Sequence, residues 1–481
     1  MTGARITVLG SQERTLKDFL AADPNGHERA AAVLFRRLAA EVPGLEASDR
    51  YIAVEVIPFP SAWIVSSSSI HVRFELHHLR ELFRRCEDEG LVFGFAHNHP
   101  GGYDNFSLQD EENEQTLVTA ISNRNGPHVH LVALLLCGGK WLARIRQQGQ
   151  AAVDVRHMLV IDQRLELHGY ATTQAAGAED VTSRQAAAFG QPFVDMLRSL
   201  RIGVVGCSGT GSPTATLLAR SGAGELILVD ADTLAESNLN RVRGFKHSDI
   251  GQPKAPVLHQ YIDSLGLPVS VASFESLADT DPPTIDALST CDVVFGCTDD
   301  EPGREALNVA CYFYGQAYID MGLGGLVAAD SAGHPHLRNH FGRISVVLPE
   351  IGECLFCQEV ISERGVRRAL ARRAEPHLTE EQLVARYLGG GAEPSPGVGP
   401  FTSATADFAV ATLFDLVRPY RRYPPELRRD LFVLNFVTLE FSSRSSKSDH
   451  TCSYCGGRDF LLMASKYRLG RPALGRANVQ T

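Results

Sequence analysis

The stretch RIGVVGCSGTGSPTATLLARSGAGELILVD, Arg201 to Asp230, constrains the fold of this chain more than any other. A β-branched run, a glycine-rich turn, a helical run and a second apolar run follow one another, which is the pattern of a βαβ unit and predicts a parallel sheet. Gly206, Gly209 and Gly211 fall between the strand and the helix. Without side chains there, backbone N–H groups and the helix N-terminus can approach a phosphate. Asp230 ends the second strand, where a carboxylate can hold ribose hydroxyls. The spacing is G-x-x-G-x-G and departs from the G-x-G-x-x-G of dinucleotide-dependent oxidoreductases.

Further strands are expected at CDVVFGCTD and AYIDMGL, giving a Rossmann-like, doubly wound second domain over residues 183–465. Within it, RGVRRALARRAEPHLTEEQLVARYLGGGAEPSPG reads as a mobile excursion. Residues 1–155 read as a separate α/β domain: RYIAVEVIPF, LVFGFAHNHP and HVHLVALLLCGGKWLARI have strand character, and ELHHLRELFRRCEDEG has helical spacing. Residues 156–182, with ATTQAAGAEDVTS, are expected to be linker, and 466–481 a frayed tail.

The first domain carries its own chemistry in GFAHNHPGGYDNFSLQD, Gly94 to Asp110. His97 and His99, at i and i+2 of a strand, point to one face. Ser107 and Asp110, three apart, share a face of a helix. Two imidazoles and a carboxylate, with one position left open, make a tetrahedral zinc site of the catalytic kind.

The formal net charge of −10 argues against a nucleic-acid partner. No apolar run approaches the ~20 residues that span a bilayer, and the N-terminal stretch lacks a signal-peptide pattern. A cytoplasmic protein with no membrane partner is expected. Of the ten cysteines, four form two C-x-x-C pairs, Cys354/Cys357 and Cys452/Cys455. Two such pairs predict a structural zinc held by four thiolates.

The full pattern H-x-H-P, seven residues, then S-x-x-D resembles the JAMM (MPN+) metalloproteases, which cleave ubiquitin-like proteins from their conjugates. The resemblance implies a catalytic zinc on His97, His99 and Asp110, and Ser107 stabilising a tetrahedral intermediate. It also implies a glutamate base from an upstream strand: Glu28, which precedes an apolar strand, or its rival Glu55.

The segments SRQAAAFG, DADTLAESNLNR, GQPKA and CTDDEPGREALN resemble the ubiquitin-activating enzymes and their ThiF/MoeB relatives that adenylate sulfur carriers, over residues 183 to about 460. The resemblance implies ATP and Mg²⁺ as cofactors, with Asp230 on the ribose and Asn238, Arg241 and Lys254 on the phosphates. Asp299 would hold magnesium, and Arg184 would reach the ATP of a partner subunit in a homodimer formed through this domain. The matching crossover segment, EPSPGVGPFTSATADFAVATLF, has no thioester-forming cysteine. Three outcomes stay open: stopping at the adenylate, direct transfer to another protein, or an oxyester on Ser395. Together the two resemblances imply a bifunctional enzyme that trims or removes a ubiquitin-like protein and adenylates its C-terminal glycine. A conjugating enzyme or other acceptor would be a further partner. The alternative is sulfur-carrier activation with product release in cofactor or cysteine biosynthesis.

Overall fold

A computed structural model describes residues 3–169, 179–375, 377, 397–422, 430–444, 451–457, 461–462 and 469. The chain divides into two compact units that meet in sequence between Thr173 and Gln174.

In the first unit β1 (Arg5–Leu9), α1 (Gly10–Ala21), β2 (Ala30–Leu38), β3 (Arg50–Pro58), β4 (Ile64–Ser68) and β5 (His71–Phe74) lead to α2 (Arg80–Glu89) and β6 (Val92–Asn98). Then come α3 (Leu108–Asn125), β7 (His130–Cys137), β8 (Lys140–Gln147), β9 (Val153–Asp154), β10 (His157–Ile161) and β11 (Leu165–His168). All but the β4–β5 hairpin form one sheet in the order β11-β10-β1-β3-β2-β6-β7-β8-β9. The run AAAVLF of β2 is apolar at every position because it lies at the centre of that sheet and both its faces are covered. Ala31, Val33 and Phe35 pack with Leu16 and Leu20 of α1. Ala30, Ala32 and Leu34 pack in the opposite core with Leu82 and Phe83 of α2 and Leu117 and Ile121 of α3. Alternation of side chains along a strand sets this division.

The expected linker, 156–182, is corrected here. His157–Ile161 is fully buried and pairs in parallel with β1, and Leu165–His168 returns antiparallel beside it. Its uninterrupted apolar run lacks the alternation that marks a half-exposed strand.

The second unit runs α4 (Glu179–Phe189), α5 (Gln191–Ser199), β12 (Arg201–Val205), α6 (Gly211–Arg220), β13 (Glu225–Val229), α7 (Lys254–Ser264), β14 (Ser270–Phe274), α8 (Pro282–Ser289), β15 (Val293–Gly296) and α9 (Glu301–Tyr314). It continues through β16 (Ala317–Ala329), β17 (Pro335–Val347), α10 (Glu363–Ala374), α11 (Gly399–Val417), β18 (Leu431–Asn435) and β19 (Glu440–Arg444). The sheet order is β14-β13-β12-β15-β16-β17-β18-β19. Strands β12 to β16 are all parallel, and β17, β18 and β19 follow antiparallel. The chain crosses from β13 to β14, then back past β12 to β15. The gap between β12 and β15, at their C-terminal ends, is the switch point where open α/β sheets take ligands. The basic stretch expected to be an excursion opens with a helix, α10, capped by Ser362. Ser395 and the tail 466–481, apart from Leu469, lie outside the described residues. No described helix is long and apolar enough to cross a membrane.

Candidate functional sites

His97 lies at the end of β6, opposite Ala30 of β2. Strand alternation puts it on the α3 side, in line with Phe93 and Phe95, and its ring stacks on Phe95 at 5.4 Å. Glu28, two residues before Ala30, extends to the same side, and its backbone N–H donates to the Ser68 carbonyl at 2.7 Å. Ser107 caps α3, accepting the Asp110 N–H, while the Asp110 carboxylate accepts the Ser107 N–H (2.6 Å) and hydroxyl (2.8 Å). This reciprocal cap fixes the direction of the aspartate.

The carboxylate thereby reaches both imidazoles: His97 Nε2 is 2.9 Å from Asp110 Oδ1 and His99 Nε2 is 3.2 Å from Oδ2. His99 Nδ1 lies 2.8 Å from the Tyr103 carbonyl. A proton there leaves the Nε2 lone pair facing the cluster, as a metal-binding histidine requires. Glu28 Oε1 is 3.8 Å from His99 Nε2, and all four side chains are buried. Burial raises the Glu28 carboxyl to about 7, moderated by His97 and His99. Burial also opposes ionisation of Asp110, but the hydrogen bonds of His97, His99 and Ser107 outweigh it and hold the carboxyl well below the usual range. Ligands about 2.0–2.2 Å from a tetrahedral zinc lie roughly 3.3 Å from one another. The separations around Asp110 match that value, so these residues fit zinc. Glu55 does not join them: its carboxylate is 43% exposed and pairs with Arg85 at 2.6 Å.

In the second unit, Gly206 has φ +92°, and a Cβ there would fall 2.6 Å from the Cys297 carbonyl. A Cβ on Gly211 would come within 1.7 Å of the Gly206 carbonyl, so the turn folds against the start of α6 only with glycine at both positions. Gly206, Gly209, Asp230, Asn238, Arg241, Lys254 and Asp299 line one cavity of about 800 Å³. Asp230 accepts the Cys207 N–H at 2.6 Å and the Asp232 N–H at 2.8 Å. Burial raises its pKa, against these bonds and the Lys254 charge. Lys254, the first residue of α7, reaches Asp232 at 2.8 Å. Asn238 accepts the Ala235 N–H at 3.1 Å, and Arg241 donates to the Ser237 carbonyl at 2.7 Å. The cavity thus combines the Asp230 carboxylate, amide N–H groups at a helix start and several cations, among them Arg241 and Lys254, a set that suits a nucleoside triphosphate. Arg184 is exposed on α4 and does not line it.

The structure adds residues that the sequence reading missed. Asp320, on β16, is fully buried and accepts Arg343 (2.5 Å), Arg304 (3.3 Å) and Tyr318 (2.7 Å), and Arg304 lines the cavity. A lone aspartate in the apolar run AYIDMGL was the available signal. Arg372 and Arg373 of α10 also line the cavity.

The four C-x-x-C cysteines converge, with Cys354 Sγ 3.6 Å from Cys452 Sγ and Cys357 Sγ 3.5 Å from Cys455 Sγ. Four thiolates about 2.3 Å from zinc would sit roughly 3.8 Å apart, so this set also fits a structural zinc. Phe356 and Tyr454 stack at 5.0 Å across the two pairs.

A doubly wound α/β unit with this cavity defines a nucleotide-binding protein. The chain belongs to the ThiF family, whose model matches residues 182–454. It is 37% identical over 119 residues to the SAMP-activating enzyme E1 of Haloferax volcanii, covering 25% of this chain and 44% of that one. It is 35% identical over 108 residues to the sulfur carrier protein ThiS adenylyltransferase of Escherichia coli, covering 22% and 43%. The chain therefore spans less than half the length of these two curated relatives. A longer match, 23% identical over 270 residues, is to the vegetative HesA protein of Trichormus variabilis, covering 56% and 85%. Among solved structures, E. coli MccB with ATP is matched at 20% identity and a TM-score of 0.42, over 58% of this chain and 76% of that one.

Proposed function

We propose that this chain carries two activities directed at one object, the C-terminal tail of a ubiquitin-like protein. The first unit is a zinc-dependent peptidase of the JAMM type that cleaves after the terminal glycine. The second adenylates the exposed carboxylate with ATP and Mg²⁺. The observation that carries the reading is the convergence of His97, His99, Asp110 and Glu28 in a chain that also holds the family's adenylation unit.

In the first unit, zinc held by His97, His99 and Asp110 would supply a Lewis acid beside the scissile carbonyl. Glu28 takes the proton of the attacking water and returns it to the leaving amine, a task suited to a carboxyl near 7. The Ser107 hydroxyl, released from Asp110 Oδ2, donates to the oxygen that becomes negative. In the second unit, Asp299 would hold Mg²⁺, which would supply positive charge to the phosphates of ATP, whose α-phosphorus the tail carboxylate attacks. Asp230 orients the ribose, while Asn238, Arg241 and Lys254 hold the phosphates and offset charge as pyrophosphate departs. Arg184 would serve the partner subunit's site in a homodimer.

No cysteine stands between Cys357 and Cys452, so transfer proceeds from the adenylate directly, or through Ser395 as an oxyester, to a conjugating enzyme or other acceptor. A sulfur-carrier reading is favoured by the likeness to the ThiS adenylyltransferase. In it the adenylated tail becomes a thiocarboxylate.

The test incubates the protein with C-terminally extended ubiquitin-like or sulfur-carrier proteins, with and without ATP, and reads intact masses. Cleavage after the terminal glycine without ATP, and a mass gain of AMP with it, is expected. Glu28→Gln should retain zinc and lose ~10²–10⁴-fold in cleavage, with Glu55→Gln unaffected. Normal cleavage by Glu28→Gln refutes the assignment of the base.

A further inference from the structure

The basic stretch that opens with α10 is not accounted for by the nucleotide-binding set above. Its last turn carries Arg373, whose guanidinium forks between two walls of the cavity. Nη1 donates to Asp279 Oδ2 and Nη2 to Asp300 Oδ2, both at 2.6 Å. Asp279 belongs to the segment after β14 and Asp300 to the turn after β15, and both line the cavity. The two walls come from different strands: β14 and β15 lie on opposite sides of the β13–β12 pair.

Asp300 is itself a structural hinge-pin. Its carboxylate accepts the Gly303 N–H (2.7 Å) and the Thr298 hydroxyl (2.6 Å), capping α9 beside Asp299. The other end of α10 is anchored on α9 as well, where the Ser362 N–H donates to Glu301 at 3.0 Å. The helix is thus pinned at its start, and Arg373 closes its far end onto both walls.

We infer that Arg373 is a positioning residue for the nucleotide: its two-armed bond holds the Asp279 and Asp300 walls at the separation a bound nucleotide needs, and it neutralises carboxylates that would repel a polyphosphate. This rests on the reading of the cavity as an ATP site. A planar fork makes two directed bonds at once, which a lysine ammonium does not reproduce. Arg373→Gln removes the fork and leaves Asp279, Asp299 and Asp300 facing the phosphates with less compensation.

The experiment is calorimetric titration of the full-length protein with ATP and Mg²⁺, without any carrier protein. Arg373→Gln should bind ATP about tenfold more weakly than the natural protein, and Arg373→Lys should recover part of that loss. Arg367→Gln, an exposed position on the same helix, should bind normally. A thermal scan of each variant separates lost affinity from lost folding. If Arg373→Gln does not fold, Arg373→Lys, which keeps the charge without the fork, serves in its place and should weaken ATP by a smaller factor. ATP affinity within twofold of the natural protein in a folded Arg373→Gln overturns the inference, as does full recovery by lysine, which would reduce the fork to bare charge. If the natural protein itself binds no ATP, the reading of the cavity fails first, and the two failures are distinguishable.

Discussion

Glu114→Ala gives the sharpest link between stability and α3, the helix that carries Asp110. Glu114 lies one turn beyond Asp110 on α3 and is fully buried. It accepts Arg144 Nη2 at 2.9 Å on one oxygen, and Arg144 Nε at 3.0 Å and Arg146 Nε at 3.1 Å on the other. Arg146 is itself fully buried. Removing one member of a buried ion pair costs about 3–5 kcal/mol, because the partner charge stays behind without compensation. Glu111 remains 2.7 Å from Arg146 Nη2 but is 43% exposed, so its pull is screened by solvent and offsets only part of the loss. The lower end, about 3 kcal/mol, is therefore expected, equivalent to a fall in Tm of roughly 6–12 °C for a unit of this size. The chain has two tryptophans, Trp63 and Trp141, and both lie in the first unit. Urea denaturation followed by tryptophan fluorescence therefore reports this unit alone. Zinc affinity should fall ~10–100-fold as α3 loosens under Asp110. Replacing the whole set (Glu114→Met, Arg144→Met, Arg146→Leu) should recover most of the stability, since apolar side chains carry no desolvation cost. A change under 1 kcal/mol in Glu114→Ala, or a triple variant no more stable than the single one, would refute the reasoning.

Three further outcomes are expected. Gly211→Ala places a methyl 1.7 Å from the Gly206 carbonyl; it should cost about 3 kcal/mol or more and abolish ATP binding, and a variant that binds ATP normally would contradict the packing described. Asp299→Ala should stop ATP–pyrophosphate exchange while cleavage by the first unit persists, and joint loss in a well-folded variant would reveal coupling that is not predicted. Reaction with the modifier and ATP should give no thiol-sensitive adduct; a thioester mapped by mass spectrometry to any cysteine outside the C-x-x-C pairs would overturn direct or oxyester transfer.

The parts of the site legible in sequence are those written at short spacing. The glycine turn and Asp230 sit on consecutive elements, so residue spacing alone brings them together. His97, His99, Ser107 and Asp110 likewise follow from one strand and the helix after it. Glu28 is different, because its place beside His99 depends on β2 pairing with β6, a contact that spacing does not encode and only the family resemblance suggested. Asp320 and Arg343 meet across an antiparallel pair, and Arg373 arrives from a helix far along the chain, so neither could be read locally. Strand β10 was hidden for another reason. It is buried on both faces, and periodicity cannot separate such a short run from an apolar stretch of linker.

The four-cysteine cluster also sets a timetable. Cys452 follows Cys354 by 98 positions. At the ~5–20 residues per second of protein synthesis, the first cysteine pair waits roughly 5–20 seconds for the second. During that interval it is a bare dithiol, able to close on itself as a disulfide or to take a metal with incomplete ligation. Correct assembly of this cluster would therefore be favoured by reducing conditions during synthesis and by zinc binding after the second pair has emerged.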